Sequence, residues 1–363
     1  MILSLTILDN QLNLIFTLYG FISCIWTTQY YEPGDFELVV EYNEENLAAL
    51  TPGNFIVKNN TNEIAIIEKV RYEYSPNEGG KITATGRMAI SLLDRRLIYS
   101  WNTSTYRPNI ITYCTAGGNM EDAARSAVYS QAINPTAGGS SRVISNLILG
   151  TDHGYTETAG KRISTYQNLY SALTSFLATK NMAHRIIYDA QSSKLLYEVF
   201  KGTDRSGTMI FSRQLENLLS FVYELDYSEW KNLLYIGGEG EGTDRFVTST
   251  NANGYQNGTE RREYFYSASS DKNSPNAEYA TILQNEAKQE CRDLIIKKNV
   301  EAEIDLVNSG LIFGEDYNVG DIILIRDIID FTPRITTVIE SQSGEGYTVD
   351  VEFNEDAPAE EES

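Results

Sequence analysis

Residues 35–41 read Asp35-Phe36-Glu37-Leu38-Val39-Val40-Glu41. Phe36, Leu38 and Val40 recur at every second position, and Glu37 and Glu41 fall on the other side. Successive side chains of a strand point to opposite faces, so this stretch predicts an antiparallel strand with one face buried. The same alternation returns at Ile64, Ile66, Val70, Tyr72 and Tyr74, with Glu68 as its one polar interruption. Asn59-Asn60-Thr61-Asn62 supplies the turn before it. Near the other end, Val300, Ala302, Ile304 and Leu306 alternate with Glu301, Glu303 and Asp305. Strand-rich ends predict a β-dominated α+β fold.

The helical periodicity lies between those ends. A short helix is expected at Ala89–Leu97 and a second at Glu121–Ile133. Ser164–Lys180 carries the stripe Tyr166, Leu169, Leu173, Phe176 and Leu177, opened by a capping box of Ser164 and Gln167. Ala277–Lys297 carries Ala280, Leu283, Ala287, Cys291 and Leu294, and Ser274-Pro275 starts it. From Met182 onward, strands are expected at Arg185–Asp189, Leu195–Phe200, Thr208–Phe211, Leu219–Tyr227 and Asn232–Gly237. Residues 350–363 carry seven acids and no base, which predicts a disordered tail. The expected division is a β-rich domain over 1–105, a helix-containing α/β insertion over 106–215, a second β-rich domain over 216–350 with one long helix (277–297), and the acidic tail 351–363.

Leu12 to Trp26 resembles a secretory signal. No lysine or arginine precedes it, and Asp9 and Asn10 interrupt it, so three strands are the better reading: Ile2–Ile7, Leu14–Leu18 and Phe21–Thr27. No window reaches the roughly 20 apolar residues of a membrane-spanning helix.

The chain has 363 residues, with 50 acidic and 29 basic side chains and a formal charge of −21. Such a surface repels phosphate backbones and argues against a nucleic-acid reader. The two histidines, His153 and His184, are too few for a three-histidine zinc site. Cys24, Cys114 and Cys291 are far apart and form neither a disulfide framework nor a CxxC knuckle, which suits a reducing compartment during folding.

Candidate chemistry is sparse. Gly237-Gly-Glu-Gly-Glu-Gly-Thr-Asp244 offers acids that a calcium ion would accept, but it lacks EF-hand spacing, and glycines between strands ordinarily form a turn. His153, in Asp152-His-Gly154, reads as a loop residue and His184 as a structural one, since no GxSxG or HExxH accompanies them. The 24 tyrosines fit either a sugar- or protein-binding surface or plain strand packing. Arg95-Arg96 is a rare basic pair in an acidic chain. It serves either to compensate a helix C-terminus or to bind acids across a subunit interface. No catalytic, cofactor-binding or metal-ligating residue is assigned.

Several separated motifs occur in order. They are Trp26 with Tyr31 and Gly34-Asp-Phe-Glu-Leu38; Gly86-Arg87 followed by Leu92-Leu-Asp-Arg-Arg96; Tyr166-Gln-Asn-Leu-Tyr170; and Tyr197-Glu-Val-Phe-Lys-Gly-Thr-Asp-Arg205. Then come Ile210-Phe-Ser212 with Glu216-Asn217, Tyr227-Ser-Glu-Trp-Lys-Asn232, Gly238-Glu-Gly240, Arg261-Arg-Glu263, Val319-Gly-Asp-Ile322 and Arg334-Ile-Thr-Thr-Val338. In this order the chain resembles siphovirus and prophage tail-tip or baseplate hub proteins of phages infecting Gram-positive bacteria. The resemblance implies two β-barrel-like tube domains with inserted or peripheral α/β domains. It implies a homotrimer that closes the tail tube and contacts the distal tail protein, the tape measure and receptor-binding or spike proteins. Phage DNA would pass its channel without specific binding. The expected location is the virion tail tip, after synthesis in the host cytoplasm. The alternatives are a tail-delivered cell-wall hydrolase and a carbohydrate-binding receptor protein. Many such hubs carry an appended hydrolase or fibre. This chain stops after the closing strands, so a lytic function is not expected.

Overall fold

The structure is a computed structural model that describes residues 3–354, apart from 19, 78, 100, 103–106, 109–117, 136–139, 159–165, 253, 255–256, 292–293 and 307–308. Cys114, Ser164 of the expected capping box and residues 355–363 of the expected tail lie outside the described residues. The chain divides into two compact units, Met1–Leu219 with Glu303–Ser363, and Ser220–Ala302. These are not the boundaries the sequence suggested.

The first unit begins with β1 (Leu5–Leu8), β2 (Leu14–Leu18), β3 (Ser23–Gln29), β4 (Asp35–Glu41), the short helix α1 (Glu44–Ala49), β5 (Phe55–Lys58), β6 (Glu63–Ser75) and β7 (Gly79–Met88). Phe36, Leu38 and Val40 are buried, as their alternation requires. Glu68 interrupts the β6 pattern because the β6–β7 register shifts between Ile67 and Lys69, a bulge that turns an extra residue outward. A Cβ on Gly86, across the bulge, would sit 1.9 Å from the Ile66 carbonyl oxygen, so only glycine fits there. The expected helix after Gly86 is a 3₁₀ turn, Ala89–Arg95.

Two-residue strands β8 (Trp101–Asn102) and β9 (Arg107–Pro108) pair with each other, and α2 (Met120–Val128) follows. A π-helical turn, Tyr129–Ile133, prolongs α2 to the expected end. After β10 (Leu147–Leu149), helix α3 covers Leu169–Ala178 instead of 164–180. Its cap is Asn168, whose side chain accepts the Ser171 amide hydrogen, while Tyr166 and Gln167 precede it as turn residues. The strands β11 (Ala183–Asp189) and β12 (Lys194–Phe200) run antiparallel over seven residue pairs.

These pieces do not stand apart as an inserted domain. β11 joins β6 through Ile187 and Glu63, and α2 and α3 bury Ala124, Val128, Leu173 and Leu177 in the same core as Trp26, Leu38 and Ile64. Full burial of each such large apolar side chain contributes about 1.5–3 kcal/mol.

The chain continues through β13 (Ile210–Ser212) and β14 (Leu218–Asp226). The second unit contains β15 (Leu233–Gly237), β16 (Val247–Asn251), β17 (Glu263–Ser267) and helix α4 (Asn276–Glu290). β15 lies between antiparallel β16 and parallel β17. Tyr279, Leu283 and Ala287 of α4 pack on Leu234 and Ile236 of that sheet. The expected helix to Lys297 is shorter. It closes at Cys291, and β18 (Lys297–Ile304) pairs with β14.

The remaining strands are β19 (Leu324–Arg326), β20 (Asp330–Phe331), β21 (Arg334–Ser343) and β22 (Gly346–Asn354). Residues 351–354, placed in the tail by sequence, belong to β22. Sequence-distant ends meet in one twelve-stranded sheet, ordered β10-β12-β11-β6-β7-β4-β3-β21-β22, with β5, β1 and β2 branching from β6. Five strand spacings separate β5 from β21 along this sheet, roughly 24 Å if flat. Yet Lys58 of β5 touches Glu340 of β21, and the Leu3 amide donates to Gln342 Oε1 at 2.5 Å. The sheet therefore curls back on its own core. Among the described residues no sheet closes into a complete barrel.

Candidate functional site

Inside the curl lies a box of charge. Lys58 and Glu340 have fully buried side chains, and that of Glu63 is 16% exposed. Lys58 Nζ meets Glu340 Oε2 and lies 2.5 Å from Glu63 Oε2. The Thr28 and Thr61 hydroxyls donate to Glu63 at 2.7 and 2.8 Å, and Tyr347 donates to Glu340 at 2.7 Å. Aromatic rings of Phe313 and Trp26 cover the ammonium at 4.7 and 5.7 Å. Burial alone drives the Lys58 pKa down, but the two carboxylates outweigh it and hold the ammonium charged. Burial likewise raises that of Glu63, and Lys58 brings it below the ordinary carboxylate value.

A second junction adjoins it. Asp321, 2% exposed, accepts the Thr203 amide hydrogen at 2.7 Å, the Asn318 amide hydrogen at 3.0 Å and Arg205 Nε at 2.6 Å. A Cβ on Gly202 would sit 1.6 Å from the Gly320 carbonyl oxygen, and one on Gly320 would enter the Tyr30 ring. Arg334 stacks over Tyr30 and donates to the Gly320 carbonyl. Segments 201–205, 319–322 and 334–338, separate motifs in the sequence, thus form one knot.

A cavity of about 530 Å³ opens between the charge box and the knot. Its wall includes Glu63, Arg185, Lys201 and Arg205, with His153 and His184. The cations are already matched: Arg185 to Glu198 at 3.1 Å, Lys201 to Glu157, and Arg205 to Asp321. His184 is buried, stacked on Tyr170, with Nε2 2.9 Å from Thr174 Oγ1 and Nδ1 3.3 Å from the Tyr197 hydroxyl. Burial pushes its pKa down to about 3, so it stays neutral and is a poor proton acceptor at neutral pH. His153 is exposed in a loop whose His153 and Tyr155 amides donate to buried Glu121.

The glycine-rich 237–244 segment connects β15 and β16. Gly240 and Gly242 have φ of +99° and +57°, and the Phe246 amide donates to the Glu239 carbonyl. Glu239 is engaged by the Lys272 amide at 2.9 Å. Among the described residues no three His, Cys, Asp or Glu side chains gather as for a metal ion.

Arg95 and Arg96, paired in sequence, have different surroundings. Arg87 binds Glu68 at 2.9 Å and Asp94 at 3.3 Å, and Arg95 reaches Glu68 at 3.4 Å. Among the described residues Arg96 donates only to backbone carbonyls, those of Arg142 at 2.8 Å and Arg95 at 3.0 Å. Sequence reasoning missed Lys58, Glu63, Asp321 and Glu340. The available signal was Lys58 closing the apolar run Phe55-Ile56-Val57.

The family described as Siphovirus ReqiPepy6 Gp37-like protein matches residues 4–353. The chain belongs to this siphovirus tail-protein family. Among solved structures, a tail protein from Neisseria meningitidis MC58 matches at 13% identity and TM-score 0.54, over 96% of this chain and 95% of that one. The 43 kDa tail protein of prophage MuSo2 from Shewanella oneidensis matches at 12% identity and TM-score 0.52, over 97% and 98%. These likenesses show a shared fold. No curated protein matches. Family membership makes the chain a phage tail protein and hence a virion component. Among the described residues no helix is long and apolar enough to cross a membrane.

Proposed function

We propose that this chain is a structural hub of the tail tip or baseplate. In this reading it closes the tail tube and joins it to the distal tail, tape-measure and receptor-binding or spike proteins. The observation that carries the reading is the curled sheet, in which both ends of a tail-protein chain combine into one wall-like body. Three copies around an axis would set such barrel-like walls side by side, with the helices outside. An acidic or neutral channel keeps DNA moving, because lysines and arginines would hold its phosphates. The charge of −21 per chain suits that task.

Cryo-electron microscopy of assembled tails carrying the labelled chain tests this. Threefold copies at the tip around a channel poor in lysine and arginine are expected. Another symmetry, or a basic channel, overturns the proposal.

The hub acts without catalysing a reaction. The low proton affinity of His184 and the matched cations of the cavity support this. Incubation with peptidoglycan from several Gram-positive species should release no muropeptides. Release abolished by a single acid-to-amide substitution would establish the hydrolase alternative instead.

A further inference from the structure

In the segment 86–96, Arg87, Asp94 and Arg95 share charge with Glu68, but Arg96 meets no carboxylate among the described residues. Burial and the charge of Arg95 both lower its pKa, as an uncompensated guanidinium requires. Residues 97–120 and 129–151 contain no acid.

Arg95 and Arg96 border a recess of about 370 Å³. Its floor is apolar and buried, made by Leu12, Phe55, Ile144 and Leu195, and among the described residues no acid lines it. Ser145 and Val143 stand exposed at its edge. A recess with an apolar base and two guanidinium groups suits a carboxylate carried beside an apolar side chain, because guanidinium binds carboxylate through paired hydrogen bonds.

We infer that this recess receives an acidic, apolar-based segment of a second copy of the chain. Each copy displays 50 acids against 29 bases, so another copy approaches the recess mainly with carboxylates. A self-matching twofold contact would oppose arginine to arginine. The contact is therefore heterologous, one patch against a different patch, and such contacts close into a ring when the rotation between copies closes. The inference rests on the hub reading, in which copies form a ring, and it names the residue that holds neighbours together.

Sedimentation equilibrium of the full chain over a concentration series tests it. The wild type self-associates. Arg96→Gln lowers the association constant about tenfold or more, equivalent to roughly 1.4 kcal/mol. Arg96→Lys keeps the charge and retains more of the association. Ser145→Glu places a carboxylate at the recess edge and produces a similar loss with Arg96 intact. The Ser145→Glu loss, which breaks neither of the bonds Arg96 makes to the Arg142 and Arg95 carbonyls, should come with an unchanged circular-dichroism spectrum. A monomeric wild type, or association unaltered in Arg96→Gln and in Ser145→Glu, overturns the inference. If the labelled chain still occupies the tail tip in threefold copies, only the recess assignment fails; if it is absent from the tip, the hub reading fails.

Discussion

Lys58 and Glu340 form a buried ion pair across 282 positions of sequence, and it joins the two ends of a curled sheet. Removing Lys58 leaves both Glu340 and Glu63 unmatched, and an unmatched buried charge typically costs about 3–5 kcal/mol. Lys58→Met should lose stability of that order in chemical denaturation. The double variant Lys58→Met with Glu340→Gln should recover part of the loss, because one of the two unmatched carboxylates goes too while Glu63 remains. A loss below about 1 kcal/mol for the single variant would show that the pair does not hold the curl.

The knot at Gly202 gives a geometric prediction. A methyl group there would overlap the Gly320 carbonyl oxygen at 1.6 Å, and that atom belongs to backbone. Gly202→Ala should cost more than the roughly 1–3 kcal/mol of ordinary overpacking and lower the melting temperature or prevent folding. Gly207→Ala, where a Cβ meets nothing within 4 Å, should stay within about 0.5 kcal/mol of wild type. Equal melting temperatures for the two variants would contradict the packing.

Several elements were legible because their signal is local. Phe36, Leu38 and Val40 announce β4 through alternation alone, and the 277–290 stripe announces α4. The expected overrun to Lys297 has a physical reason. Leu294 continues the apolar spacing of Cys291 and packs against the same core, although the helix has already closed and a strand soon follows. The charge box was not legible. A lysine ending an apolar run reads as the exposed end of a strand, and one of its two carboxylate partners lies 282 residues away. Nor does sequence separate Arg95 from Arg96, since Glu68 reaches one of them only because the β6 bulge turns it outward.

His184 should make the fold acid-sensitive before the carboxylates titrate. Its folded pKa is pushed down to about 3 from an ordinary 6.5 by burial. The unfolded chain therefore binds a proton that the folded chain refuses. This contribution is complete above pH 6.5 and is lost as the pH falls from there toward 3, at up to about 1.4 kcal/mol per pH unit. Denaturation midpoints measured from pH 7 to pH 5 should fall for the wild type. They should fall less steeply for His184→Gln. Parallel curves would mean that His184 is not the responsible group.

Glu286 fastens a loop to α4. Its carboxylate accepts from the Ser269 and Ser270 amides at 2.7 and 3.3 Å, from their hydroxyls at 3.0 and 2.5 Å, and from the Tyr266 hydroxyl at 3.0 Å. Burial alone would raise its pKa, but these donors outweigh that and lower it to about 2 from 4.5. A depressed carboxylate pKa means that the contribution is present above pH 4.5 and lost as the pH falls toward 2. The site is partly solvated, so the effect should be local, not a global loss of stability. Glu286→Ala frees the Ser269 and Ser270 amides, and their hydrogen exchange at neutral pH should quicken while the amides of β15 keep their protection. Glu286→Gln retains an acceptor without the charge and should give an intermediate rate. In the wild type, exchange corrected for its intrinsic pH dependence should quicken at the same two amides as the pH drops below about 4. Unchanged exchange in Glu286→Ala would show that the loop is held by Tyr279, whose hydroxyl donates to the Ser270 carbonyl at 2.7 Å, and not by Glu286.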